Sequence, residues 1–183
     1  IMIADYPTVN STVMEEALKK IKVTKTTHSR LSEVDFNHLV FGKKYADHML
    51  VADFDGKAWG NAQILPFQNF SVSPSNAAWH YGQAIFEGIK AYKDQEGNPM
   101  IFRPYDNYKR FNISAERMGM PEVPEWLFIG GMSMLIDLDR DWIPTGEGCS
   151  LYLRPFMIAT DEFIGVRPSD TYRFAIINSP SGR

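Results

Sequence analysis

Between Ser150 and Pro155 the side chains alternate without a break, with Leu151 and Leu153 on one side and Tyr152 and Arg154 on the other. That is the period of an extended strand, in which successive side chains point to opposite faces. One face can pack a core. The other sets a phenol beside a guanidinium, a receptor suited to carboxylates.

The rest of the chain reads as hairpins around helices. Residues 1–40 differ in character and read as an N-terminal arm lying on the domain, with a short helix from Thr12 to Ile21 capped by Ser11 or Thr12. From 41 to 178 a single domain is expected. His48 to Phe54 forms a strand, Asp55-Gly56 signals a hairpin turn, and Trp59 to Pro66 returns. Ala77 to Ala84 makes a short helix, Phe86 to Lys93 a strand, and Pro99 to Arg103 pairs back. Pro104 suits a first helical position, and Tyr108, Phe111, Ala115 and Met118 follow as a buried stripe. Pro124 opens a second helix, whose face carries Met132, Leu135, Ile136 and Leu138. Strands at 150–160 and 172–178 finish the domain, and 179–183 reads as a flexible tail at the start of a linker. Hairpins with two consecutive main helices predict an α+β fold with an antiparallel-rich sheet, not a doubly wound one.

Composition narrows the partners. Apolar residues make up 44% of the 183, which fits a packed domain. The formal net charge is -3 and the lysines pair at most in twos, so nucleic acid is not expected as a partner. No apolar run approaches the roughly 20 residues of a membrane span. Ile1 to Tyr6 lacks the basic and apolar regions of a secretory signal, so a cytoplasmic protein with a trimmed start is expected. Cys149, the one cysteine, excludes an internal disulfide and reads as a small packing residue. His48 and His80 lack a second ligand at helical or hairpin spacing, so they read as structural and no metal site is expected.

The strand at Ser150–Pro155, the stretch Phe86-Glu87-Gly88-Ile89-Lys90-Ala91-Tyr92 and the segments between them resemble the branched-chain aminotransferases. The resemblance runs from about Phe41 to the last residue. It implies the small N-terminal domain of the fold type IV (class IV) aminotransferases and a pyridoxal 5'-phosphate cofactor. It also implies that the lysine holding that cofactor lies in a second domain beyond residue 183. The chain is therefore expected to be a fragment, truncated and inactive alone, of a cytoplasmic homodimer. The parent would exchange amino groups between branched-chain amino acids (Leu, Ile, Val) and 2-oxoglutarate, with glutamate as the other amino acid.

The resemblance also assigns roles. Arg110, in the stretch Ile101 to Phe111, stands where the family binds the cofactor phosphate. By spacing alone Arg110 could instead pair with Asp106 on an exposed helix face, and Lys109 and Arg103 are nearby cations. Tyr81 and Phe86, in His80 to Gly88, stand where the family lines its substrate pocket, and Tyr152 and Arg154 fill its Tyr-x-Arg-Pro positions. One pocket must accept an apolar side chain and then a carboxylate; aromatic walls suit the first and Arg154 the second. Ile164 and Val166, in the loop after that strand, stand where related dimers reach into the neighbour's pocket. Gly88 reads as a bulge or a close approach. Glu87 reads as facing away from the pocket and making a structural pair. Two other readings stay open here. One is another fold type IV enzyme, a D-amino-acid aminotransferase or an aminodeoxychorismate lyase. The other is a non-catalytic binding or oligomerisation domain.

Overall fold

The computed structural model describes residues 9–183. The reading of Ile1 to Tyr6 as free of a secretory signal lies outside the described residues. Helix α1 (Ser11–Lys20) is followed by β1 (Lys22–Val23), β2 (His48–Phe54), β3 (Trp59–Pro66), α2 (Ala77–Tyr81), β4 (Ala84–Phe86), β5 (Ile89–Lys93) and β6 (Pro99–Ile101). Then come α3 (Pro104–Arg117), α4 (Gly131–Leu138), β7 (Ser150–Ala159) and β8 (Tyr172–Ser181). The eight strands form one sheet in the order β1-β3-β2-β8-β7-β5-β6, with β4 also on β7. Only β1 and β3 run parallel; the other pairs are antiparallel. The fold is α+β, as the hairpins and paired helices predict. No helix among the described residues is long and apolar enough to cross a membrane.

Alternation along the strands divides the sheet into two faces. On one, Leu151, Leu153, Met157, Phe174 and Ile176 are buried beneath the helices. The centre is a triangle of rings from three elements. Phe111 and Phe128 lie 5.3 Å apart, Phe111 and Phe174 5.6 Å, and Phe128 and Phe174 5.8 Å. Burying each ring contributes on the order of 2 kcal/mol, and tilted ring pairs add about 1 kcal/mol each. The second helix enters α4 through a π-helical turn, Trp126–Gly130, buried throughout. A Cβ at Gly130 would sit 2.6 Å from the Ala17 Cβ, so only glycine lets α1 lie against that turn. The opposite face is more open. Met49, Val51 and Ala175 form a smaller cluster there with Phe156 and Ile177.

Several element boundaries differ from the sequence reading, each for a local reason. The cap of α1 is Asn10, not Ser11 or Thr12, because its side chain accepts the Thr12 N–H at 3.0 Å. α2 stops at Tyr81, not Ala84: Gly82 takes a left-handed conformation (φ +65°), freeing Ala84–Phe86 to join the sheet. β6 ends at Ile101, because Arg103 (φ +46°) turns the chain into α3. Met118 lies just past α3 and is exposed, so it leaves the buried stripe formed by Phe111 and Ala115. The tail read as flexible is ordered: β8 runs on to Ser181, paired with Ser150, and the Ser179 hydroxyl donates to the Lys44 carbonyl at 2.7 Å.

The stretch before β2 is fastened by a buried polar cluster. Asp47 accepts hydrogen bonds from the Ser29 hydroxyl (2.5 Å), the Arg30 N–H (2.9 Å) and the Trp142 indole (3.0 Å). Next to it, the Thr26 N–H donates to His48 Nε2 at 2.8 Å, which places the imidazole proton on Nδ1, 2.6 Å from Asp139 Oδ1. Burial lifts the Asp139 carboxyl above its ordinary range, against the hydrogen bonds from the His48 ring and backbone N–H. His48 is thus structural, as expected. His48→Ala should cost about 2–3 kcal/mol in urea denaturation, since it leaves the buried Asp139 carboxyl with only the backbone N–H of residue 48. Asp139→Asn, which keeps an acceptor, should cost only about 1–2 kcal/mol.

Candidate functional site

The site is built on β7 and the β4–β5 line beside it. Phe86 pairs with Phe156, Ile89 with Leu153 and Lys90 with Tyr152, one register held across the Glu87-Gly88 break. The Glu87 N–H still donates to the Pro155 carbonyl there, at 2.9 Å. That register puts Phe86, Lys90, Tyr152 and Arg154 on the open face. It puts Glu87, between Ile85 and Ile89, on the helix-packed face.

Three rings and one guanidinium interlock on the open face. Arg154 Nη2 donates to the Tyr152 hydroxyl at 2.8 Å. Its guanidinium carbon lies 4.2 Å from the Phe86 ring centroid. The Phe41 ring meets Tyr152 edge-on at 5.0 Å, and Tyr45 joins Tyr152 and Arg154 along one cleft of about 240 Å³. The phenol also lies across Gly88: a Cβ there would fall 2.5 Å from the Tyr152 hydroxyl oxygen. Gly88 is therefore a close-approach glycine, one of the two roles expected of it.

Tyr152 is shared with a second cleft of about 440 Å³, lined also by Gly88, Lys90, Tyr92, Arg103, Asn107 and Arg110. This cleft exists because β6 pairs with β5 only as far back as Ala91. The Phe102 N–H bonds the Lys90 carbonyl, and Arg103 then swings α3 across the open end of β5. Arg110 rises from α3 at this edge. Asp106, its expected helical partner, is bonded to Arg103 (2.6 Å). The carboxylate bonded to Arg110 is Glu87, with Nε to Oε1 at 2.5 Å and Nη2 to Oε2 at 2.7 Å. Burial pushes the Glu87 carboxyl up, but the hydrogen bonds of Arg110 and Asn107 and the guanidinium charge outweigh it and hold it below its ordinary range. The hydrogen bond and charge of Glu87 in turn raise Arg110 above its ordinary value.

The structure thus brings Phe86, Tyr152 and Arg154 into contact, and sets Arg110 across the cleft from Tyr152. Tyr81, Phe86, Ile164 and Val166 line neither cleft; all four are exposed, Val166 at 94%, and Phe86 reaches the site only through its stacking on Arg154. His80 bonds the Pro74 carbonyl at 2.9 Å, a structural role. No three His, Cys, Asp or Glu side chains gather for a metal among the described residues. Glu87 faces away from both clefts and makes a structural pair, as expected; sequence reasoning missed that its partner is Arg110, and missed Asn107 and Phe41. The Glu87–Arg110 pairing had a signal: a lone carboxylate in the apolar row Ile85, Glu87, Ile89 demands a cation. Asn107 and Phe41 had none, because only the tertiary fold brings them here.

No protein-family model matches the chain. Its architecture is that of the small domain of the fold type IV aminotransferases. The solved branched-chain aminotransferase of the thermophilic archaeon Thermoproteus uzoniensis, with norvaline, superposes with a TM-score of 0.56 and 24% identity, over 74% of this chain and 42% of that one. In sequence, the chain is 46% identical over 165 residues to a probable branched-chain-amino-acid aminotransferase of Staphylococcus epidermidis, covering 90% of this chain and 46% of that protein. It is 43% identical over 157 residues to branched-chain-amino-acid aminotransferase 2 of Bacillus subtilis, covering 85% of this chain and 43% of that one. The chain belongs to the branched-chain-amino-acid aminotransferase family and spans a little under half the length of these curated relatives. The alternative readings, another fold type IV enzyme or a non-catalytic module, are not favoured by these relatives.

The closeness of Tyr152 to Gly88 gives a direct check. Gly88→Ala should swing the phenol away from Arg154 and cost about 1–2 kcal/mol by overpacking. A crystal structure of the variant and its urea midpoint report the two effects separately.

Proposed function

We propose that the complete protein is a pyridoxal-phosphate-dependent transaminase that exchanges amino groups between leucine, isoleucine or valine and 2-oxoglutarate. The carrying observation is the position of Tyr152, with one arginine-bearing cleft on either side. Arg110 offers its unpaired guanidinium edge to a dianion in the larger cleft, with Lys90 adding positive charge, while Arg103 there is paired with Asp106. Gly88 keeps the floor between the clefts free of a side chain. These features fit a phosphate, so Arg110 would hold that end of the cofactor. When bound, pyridoxal phosphate supplies the electron sink and carries the amino group between the two substrates.

On the other side, Tyr152 and Phe41 give an apolar wall for a branched side chain, and Phe86 backs Arg154. Arg154 is held against Phe86 by ring stacking and against Tyr152 by a hydrogen bond, so it stands ready for the second carboxylate of glutamate. Docking leucine against the rings excludes water and leaves Arg154 bonded to Tyr152. Docking glutamate adds a charge-assisted pair.

The complete protein is read as a cytoplasmic homodimer, and the loop after β7 supports the dimer. Its base is pinned: Asp161 accepts from the Asp170 N–H at 2.8 Å and the Thr171 hydroxyl at 2.9 Å. Its tip exposes Ile164 at 67% and Val166 at 94%. Inserting them into a neighbour's pocket removes that surface from water. Val166→Asp should raise KM for leucine with the subunit still folded; unchanged kinetics would count against this role.

The experiment that tests the function compares half-reactions in the intact protein. Arg154→Gln should lower kcat/KM for glutamate roughly tenfold more than for leucine, because only glutamate loses a charge-assisted partner. Equal losses, followed by single-turnover absorbance, would move Arg154 to the α-carboxylate that both substrates share.

A further inference from the structure

We infer that Glu87 is a positioning residue: it locks Arg110 so that the free edge of the guanidinium faces the phosphate cleft. This rests on the reading of Arg110 as the phosphate anchor.

The geometry supports it in four ways. First, Glu87 and Arg110 have opposite exposure. The Glu87 side chain is 5% accessible and the Arg110 side chain 67%. A long arginine on an exposed helix face normally samples many rotamers, and binding an anion would have to freeze them. The buried carboxylate freezes them beforehand. Second, Glu87 is itself fixed. Asn107 Nδ2 donates to Oε2 at 2.9 Å, and the Gly88 N–H reaches the same oxygen at 3.3 Å. Third, the bond is bidentate and side-on, through Nε and Nη2. A guanidinium has five N–H donors in one plane. Taking one from Nε and one from Nη2 leaves the end-on fork, the remaining Nη2 hydrogen and those of Nη1, which matches two phosphate oxygens. Fourth, Glu87 lies on the helix-packed face of the strand. It uses donors that the phosphate does not need, so it orients the arginine without competing for its free edge.

The pair also explains why Glu87 and Gly88 are neighbours. Glu87 points down to Arg110 and Gly88 lets Tyr152 lie flat above. One break in a strand therefore sets an element of each cleft.

The test uses the intact enzyme stripped of cofactor and titrated with pyridoxal 5'-phosphate or with pyridoxal, which lacks the phosphate. Glu87→Gln keeps the size but loses the charge and one acceptor. It should weaken pyridoxal phosphate about tenfold and leave pyridoxal affinity unchanged. Arg110→Ala should weaken pyridoxal phosphate at least as much. The double variant should be no weaker than Arg110→Ala alone, because Glu87 acts only through Arg110. If Arg110→Ala weakens the phosphate form but Glu87→Gln leaves it unchanged, or tightens it, the positioning role is wrong while the anchor stands. Additive losses in the double variant overturn the role in the same way. If Arg110→Ala has no effect, the anchor reading falls and this inference with it. Should Glu87→Gln fail to fold, Asn107→Ala decides. Releasing one restraint on the Glu87 carboxylate should weaken pyridoxal phosphate about threefold and again spare pyridoxal, and an unchanged value overturns the role.

Discussion

Strand β7 carries the constraint on which the other parts rest. Over its whole length it pairs with β8 on one side, and on the other with β4 and β5 in a single register. Its period of two then commits each residue. Leu151, Leu153 and Met157 must enter the core, so Tyr152 and Arg154 cannot. A slip by one residue would bury the guanidinium and expose three large apolar side chains, and burying an unpaired charge costs several kcal/mol. The site is precise because the core beneath it is.

The same logic shows how much was legible in advance. The strand at Ser150–Pro155, the hairpin at Asp55-Gly56 and the helix starting at Pro104 each follow from a local rule, and each is where that rule puts it. The grouping of Phe86, Tyr152 and Arg154 was legible too, through family resemblance supported by alternation. What escaped the sequence depends on contacts between distant segments. Nothing local says that Phe41 will meet Tyr152, or that Lys22-Val23 will pair in parallel with Gln63-Ile64. The helix end at Gly82 and the turn at Arg103 were misplaced because both depend on a left-handed residue, and one of the two is not a glycine.

The segment before β2 and the site are connected more closely than their separation in sequence suggests. Thr26, Ser29 and Arg30 are fastened to Asp47 and His48 at the start of β2. The chain between those fastenings carries Phe41 to Tyr152. The aromatic wall beside Arg154 is therefore only as rigid as a polar cluster buried on the far side of β2, where Asp139 and Trp142 close it from the helical layer.

The margins of the sheet have their own consequence. At one border stands β1, two residues long and led by a lysine; at the other stands β6, three residues long and begun by a proline. Short, charged or proline-bearing borders offer a passing chain few free N–H and C=O groups in a row, which is how β proteins avoid growing edge to edge into aggregates.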